Sequence, residues 1–377
     1  MTGRMESMRV GGLLEESFEL PRGDQSYDQM NEDIRSFEIQ IKTFLESNRP
    51  CLALNSGTAA IHLALKLSGV QQGDYVLCQS HTFVACINAI KYQGAIPVLI
   101  DSEKDTWNIS LQYVQEAVLQ LNKKKIYPKA LIAACLYGVP YGFDAVYAFA
   151  KANNIKVIDD SAEALGSTFH HKKCGTLGDF GVLSFNYNKI ITTGGGGILV
   201  CQDQKDYLQA LKLATQAKEN KPHYQHEVIG YNYRMSHINA KIGRSQMHVL
   251  EKNISSRQDL NSWYRSLFHT IDGVKVQQTS SSYYTSNCWL TAILIDPSKT
   301  GGITREDLRL ALEADNIESR PLWKPMHLQP LCKDFPFYGT NVCETLFENG
   351  LCLPSGSNLT DQDRNRIKKS ILKVFKK

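Results

Sequence analysis

Between about residues 50 and 205, short apolar runs alternate with segments patterned like helices. Cys51 to Leu54, Tyr75 to Leu77, Ile96 to Ile100, Leu131 to Leu136, Lys156 to Ile158, Gly181 to Phe185 and Ile198 to Cys201 read as strands. Thr58 to Ser68, Thr82 to Tyr92, Leu111 to Leu121 and Phe143 to Ala152 read as the helices between them. That alternation predicts an α/β architecture, a mostly parallel seven-stranded sheet covered by helices on both faces. Residues 205 to 260 read as long helices flanking a polar loop at Lys218 to Glu227. Beyond about 260 the pattern changes to separated strands, Trp289 to Ile295 the clearest, and helices at Arg305 to Asp315 and Asp361 to Phe375. The expected organisation is a large domain over 1–250 and a smaller α+β domain over 251–377. Their boundary falls inside a helix rather than in a linker.

Composition narrows the class only a little. Of 377 residues 42% are apolar and 21% charged, as in folded globular chains, which excludes disordered and collagen-like architectures. No apolar run approaches the roughly 18 residues a membrane-spanning helix needs. Met1 to Leu20 lacks a continuous apolar core of signal-peptide type, so the expected location is cytoplasmic, without membrane insertion. A net charge of +4 points to no nucleic-acid partner. The ten cysteines are dispersed, with no C-x-x-C pair, and read as buried reduced thiols rather than disulfides or metal ligands; no metal is expected.

Three short stretches carry chemistry. Asn55-Ser56-Gly57-Thr58-Ala59-Ala60 follows a strand and opens a helix, where free N–H groups and the helix dipole suit a phosphate. An ordinary helix cap has the same composition. Val157-Ile158-Asp159-Asp160-Ser161-Ala162-Glu163 places two aspartates at a strand end, where open α/β sheets present ligand-contacting groups. Lys189 lies between two β-rich segments and is followed by Gly194 to Gly197. The apolar strand resumes at Ile198, which favours a tight functional turn over a flexible loop. The glycine run does not fit G-x-G-x-x-G opening a helix, so a dinucleotide fold is disfavoured. A phosphate cradle, a strand-end carboxylate and a downstream lysine are the parts that pyridoxal phosphate (PLP) requires.

With Thr82-Phe83-Val84-Ala85, Gly175 to Phe180 and Gly230-Tyr231-Asn232-Tyr233-Arg234-Met235 added, the chain resembles the DegT/StrS-type nucleotide-sugar aminotransferases over roughly residues 36 to 360. Those are PLP enzymes of fold type I. The stretch Glu318 to Gln329 is similar to the branch that aminates C4 of UDP-linked 4-keto-6-deoxy-2-acetamido sugars in bacillosamine- and legionaminate-type pathways. The resemblance implies that Lys189 forms the Schiff base with PLP and shuttles protons. It implies that Asp160 pairs with the pyridine nitrogen, Glu163 lies near the ring hydroxyl and Phe83 stacks on the ring. Gly57, Thr58 and Ser184 then hold the phosphate, joined by Asn232 from the neighbouring subunit of a homodimer. Lys218, Arg320, Trp323 and His327 become candidate walls of the sugar-nucleotide pocket, and L-glutamate the amino donor. The chain departs from the family's usual residues at Asp159 (glutamate), Ser161 (alanine) and Tyr187 (glycine), and residues 1–35 lack the usual opening. Sugar dehydratases of this fold carry histidine where this chain has Lys189. A catalytically silent or regulatory member of the fold is the other reading.

Overall fold

The computed structural model describes residues 27–375, with side chains from residue 31 onward. The atypical opening noted in the sequence therefore lies largely outside the described residues. The strands are β1 Cys51–Leu54, β2 Tyr75–Gln79, β3 Ile96–Ile100, β4 Ala130–Ala134, β5 Lys156–Asp160, β6 Thr168–Phe169, β7 Lys172–Lys173, β8 Phe180–Ser184, β9 Gly197–Val200, β10 Val274–Val276, β11 Tyr284–Thr285, β12 Thr291–Ile295, β13 Arg320–Pro321, β14 Phe337–Tyr338 and β15 Gly350–Leu353. The helices are α1 Tyr27–Phe44, α2 Gly57–Leu67, α3 Ala85–Tyr92, α4 Leu111–Lys123, α5 Phe143–Ala152, α6 Gln204–Ala214, α7 His237–Met247, α8 Leu250–Phe268, α9 Arg305–Ala314, α10 Val342–Asn349 and α11 Asp361–Phe375.

All seven strands expected from the apolar runs join one sheet, in the order β1-β9-β8-β5-β4-β2-β3. An eighth, β14, comes from the C-terminal part of the chain and extends the edge, pairing parallel with β3. Two residues long and only half-buried, it carries no apolar run by which the sequence could announce it. From β14 to β8 the neighbours are parallel, and only β9 runs against its neighbours. Because side chains alternate across a strand, β5 sends Ile158 and Asp160 to one face and Val157 and Asp159 to the other. Ile158 joins the apolar cluster built with α2 and α3, and Val157 the one built with α4 and α5.

A four-stranded antiparallel sheet, β10-β12-β15-β13, forms the second core with α9, α11 and the C-terminal half of α8. Leu250 and Ile254 of α8 pack with the first sheet's outer cluster, whereas Leu260, Tyr264 and Phe268 pack on the second sheet. All ten cysteines are buried and none is disulfide-bonded. Among the described residues, no helix is long and apolar enough to cross a membrane.

Candidate active site

Strand β5 ends at Asp160, and the turn after it brings Glu163 back over the strand ends. Glu163 Oε1 accepts a hydrogen bond from Lys189 Nζ at 3.1 Å, and Oε2 accepts from the Tyr137 N–H at 2.9 Å. Both side chains are largely enclosed, 12% exposed for Lys189 and 8% for Glu163. Burial pushes the Glu163 carboxyl up to about 7, against the opposing pull of Lys189 and the Tyr137 N–H. The Lys189 ammonium also lies 4.2 Å from the centre of the Trp289 ring. That ring is fixed at both ends. Its Nε1 donates to the Asn188 carbonyl and its backbone N–H to Asn287 Oδ1, each at 2.9 Å. Asn287 Nδ2 in turn donates to the carbonyls of Glu163 and Leu165, so one amide ties the ring to the turn carrying Glu163.

Asp160 is buried. Its Oδ1 accepts from the Ala162 N–H at 3.2 Å and its Oδ2 from the Cys86 thiol at 3.1 Å. Burial raises its pKa, while Cys86, Ala162 and the charge of Lys189 pull the other way. Asp159 points to the opposite face. Its carboxylate accepts from Ser161 Oγ at 2.9 Å, Gly175 N–H at 2.7 Å and Leu177 N–H at 3.4 Å.

The start of α2 forms a cradle. Ser56 caps it, accepting from the Ala59 N–H at 3.1 Å, and helix geometry leaves the N–H groups of Gly57 and Thr58 without an intrahelical acceptor. A Cβ on Gly57 would lie 3.1 Å from Ser184 Cβ, and one on Gly197 would sit 2.5 Å from Gly57 N. The glycines are therefore what lets β8, β9 and the helix start converge. Gly194, at φ +80, makes the turn before them. A helix N-terminus lined by a serine hydroxyl, a strand-end carboxylate and an enclosed lysine fit PLP in its phosphate, ring nitrogen and aldehyde respectively.

The other expected residues divide. Phe83 is 56% exposed at the mouth, with its ring 5.8 Å from that of Trp323. Trp323 lies 5.1 Å from the Tyr137 ring and donates its backbone N–H to the Tyr137 hydroxyl. These aromatics therefore join the site. His327 stacks on Phe337 at 3.8 Å, and both its ring nitrogens are engaged, Nδ1 with Ser80 at 2.7 Å and Nε2 with Glu344 at 3.0 Å. It holds its segment in place and has no ring nitrogen left for a ligand. Arg320 is 73% exposed and paired with Glu318. Lys218 stands on an exposed loop over the Tyr224 ring, and neither cation contacts Lys189 or Glu163. Asn232 is exposed, and its carbonyl accepts from Asn55 Nδ2 at 3.1 Å beside the cradle. Tyr187 projects outward, 74% exposed, from a turn in which it does not need positive φ, so a bulky side chain is accommodated there.

Sequence reasoning missed Trp289, Asn287, Tyr137 and Cys86. Only Cys86 left a signal: it follows Thr82 by four residues at the opening of α3, on the face turned to β5.

Comparison with known proteins agrees with this geometry. The model of the DegT/DnrJ/EryC1/StrS aminotransferase family matches residues 22–372. The chain is 43% identical over 346 residues to the "putative pyridoxal phosphate-dependent aminotransferase EpsN" of Bacillus subtilis, covering 91% of this chain and 88% of that one. It is 35% identical to the GDP-perosamine synthase of Escherichia coli O157:H7, covering 91% and 90%. The crystal structure of a DegT DnrJ EryC1 StrS aminotransferase from Brucella abortus superposes with a TM-score of 0.85 at 25% identity, covering 92% and 91%. The chain belongs to the DegT/DnrJ/EryC1/StrS aminotransferase family, and it is an aminotransferase with PLP as its cofactor.

Proposed function

We propose that this enzyme transfers the amino group of L-glutamate to C4 of a nucleotide-linked 4-keto-6-deoxy sugar. The substrate we assign is UDP-2-acetamido-2,6-dideoxy-4-hexulose, and the product a diamino sugar for surface glycans. The observation that carries this reading is Lys189 held against Glu163, beside Asp160 and the glycine-lined cradle, in a chain of this family. Bound PLP supplies an electron sink for the reacting amine. The chain's own residues do the rest. Lys189 Nζ takes the proton from Cα of the amino donor and delivers protons on the return half-reaction. Glu163, its carboxyl pushed to about 7, accepts or returns a proton at Lys189 near neutral pH. Trp289, its ring centre 4.2 Å from Nζ, limits the travel of that ammonium. Asp160 holds negative charge where the ring nitrogen must stay protonated.

Support for UDP comes from the stretch Glu318 to Gln329; similarity to a GDP-perosamine synthase favours GDP as the second reading. The test is a panel of UDP-, dTDP- and GDP-linked 4-keto sugars with L-glutamate, read by mass spectrometry. Amination of the UDP-linked acetamido sugar is expected. Amination of a GDP sugar alone overturns the nucleotide assignment. No product at all, from protein that binds PLP, supports the silent member of the fold.

We also read the active site as shared across a homodimer, with Asn232 reaching the neighbour's phosphate. Its side-chain amide makes no hydrogen bond among the described residues, which leaves it available to a partner. Chains carrying Asn232→Asp and chains carrying Lys189→Ala, refolded together, should recover roughly a quarter of wild-type activity, because half the dimers are hybrids with one intact site. A mixture as inactive as its parents, with hybrids shown to form, places Asn232 in its own subunit's site.

A further inference from the structure

The carboxylate of Asp160 has two protein donors, and one of them is unusual. The Cys86 thiol, buried on the first turn of α3, donates to Oδ2 at 3.1 Å while the Ala162 N–H donates to Oδ1. Thr82 Oγ1 lies 3.6 Å from the same sulfur, so its hydroxyl can donate to the sulfur and leave the S–H for Asp160. From the strand-end carboxylate outward, the order is Asp160, Cys86, Thr82. We infer that Cys86 is a positioning residue for the cofactor: its S–H fixes the Asp160 carboxyl plane and keeps that carboxylate ionised for the pyridine nitrogen. This rests on the reading of Asp160 as the ring's partner.

The physical case has two parts. A carboxylate buried at the end of a parallel strand is disfavoured in its charged form, and protonation would remove the acceptor that a protonated ring nitrogen requires. Each hydrogen bond to the charged form opposes that drift. The hydrogen-bonded Cys78 side chain beside it, then burial and the charge of Asp160, push the Cys86 thiol well above its ordinary pKa, so the proton stays on sulfur and sulfur is the donor. A thiol is a weaker donor than a hydroxyl. It therefore holds the Asp160 pKa down less than a serine hydroxyl would. The geometry contributes as well. With one donor on each oxygen the carboxyl plane is set, and each oxygen keeps a lone pair for the ring.

The test is PLP binding to apoenzyme as a function of pH, alongside the absorption maximum of the bound cofactor and the melting temperature of the apoprotein. Cys86→Ala removes the donor and should bind PLP about tenfold more weakly at neutral pH, with the acidic limb of binding moved upward by about one pH unit. Cys86→Ser supplies a stronger donor and should restore binding while moving that limb below the wild-type position. A space-filling role alone would lower the melting temperature of Cys86→Ala and leave the limb and the spectrum where they were, which overturns the inference. If Cys86→Ala does not fold, Cys86→Ser decides: an unmoved limb overturns the proposal and a lowered one supports it. Asp160→Asn separates the two layers. If it binds PLP with the wild-type pH profile, the assignment of Asp160 itself is wrong; if it abolishes that profile while Cys86→Ala leaves it intact, only the role of Cys86 fails.

Discussion

Two aspartates adjacent in sequence at the end of β5 have opposite fates because a strand turns successive side chains to opposite faces. Asp160 shares the α2 and α3 face with the cradle and Lys189, holds two donors, and keeps free lone pairs. Asp159 faces α4 and α5 and spends its carboxylate on the chain itself, binding Ser161, Gly175 and Leu177. The loop it holds is fastened again from outside. The Arg49 guanidinium donates to the carbonyls of Thr176 at 2.9 Å and Gly178 at 2.7 Å, and its Nε to Cys201 at 2.9 Å. Buried carboxylates are costly on either face. One is retained for architecture and the other for chemistry, and burial alone does not tell them apart. What differs is whether the remaining valences point at protein or at a cradle.

The sharpest way to break this comparison is at the chemical face. Lys189→Ala should lower transamination by more than about a thousandfold while pyridoxamine phosphate still binds, because the cradle does not depend on the ammonium. Retention of more than a few per cent of turnover would remove Lys189 from its role. Next come the two aspartates. Asp160→Asn should leave the melting temperature nearly unchanged and lower the rate by about two to three orders of magnitude, the loss of roughly 3–4 kcal/mol of charge stabilisation. Asp159→Asn should do the reverse. An amide turned toward the Gly175 and Leu177 N–H groups leaves buried donors unmet, at a cost of several kcal/mol of stability. Measured on apoprotein and holoenzyme together, the pair would overturn the assignment if Asp159→Asn lost activity and Asp160→Asn lost stability.

These expectations were partly legible in the sequence, and the boundary of legibility has a physical reason. The seven strands of the main sheet announce themselves because both faces are buried, and β4 is buried at every position. Asp160 stands at a strand end and Lys189 in the turn between β8 and β9, where period and punctuation mark them. Trp289 and Asn287 do not: their bonds to the site bridge about a hundred residues of sequence, 101 for Trp289 to Asn188 and 124 for Asn287 to Glu163. No local pattern encodes such a contact. The second sheet is obscure for a related reason, since β13 has two residues and β10 three, too few for a period to show. His327 teaches the converse. Its motif is legible, yet the structure commits both ring nitrogens to Ser80 and Glu344.

A smaller effect tests the chemical face by pH. Glu163 ionises near 4.5 in an unfolded chain and at about 7 in the fold. Below pH 4.5 it is protonated in both states and its contribution to stability is fully present. Between 4.5 and 7 the unfolded chain ionises first, so that contribution is lost as pH rises. Glu163→Gln cannot titrate. Urea unfolding of the apoproteins at pH 5 and pH 7.5 should therefore show the wild type losing more stability than the variant, by at most about 3 kcal/mol. Asp159 and Asp160, raised in the same direction, are present in both proteins and cancel. Parallel slopes would mean that Glu163 is already ionised in the fold at pH 5.

The smallest expected effect lies on the architectural face, and it sharpens the comparison most finely. Ser161 sits between the two aspartates and their successor Glu163, fully buried, with its hydroxyl donating to Asp159 Oδ1 at 2.9 Å. Ser161→Ala removes one of four donors to that carboxylate, the others being the Gly175 and Leu177 N–H groups and the Cys135 thiol. Gly175 and Leu177 still bind it, so the charge is not orphaned, and the loss should be about 1–2 kcal/mol. In a chain this long that corresponds to a fall of a few degrees, about 2 °C per kcal/mol, in the apoprotein melting temperature. PLP affinity and its pH dependence should not move, because Ser161 addresses the face of β5 turned away from the cradle. Calorimetry and a cofactor titration on the same sample check both halves. A change in PLP binding without a change in stability would mean that the strand end transmits the Asp159 network to Asp160, and the separation of the two faces would then be false.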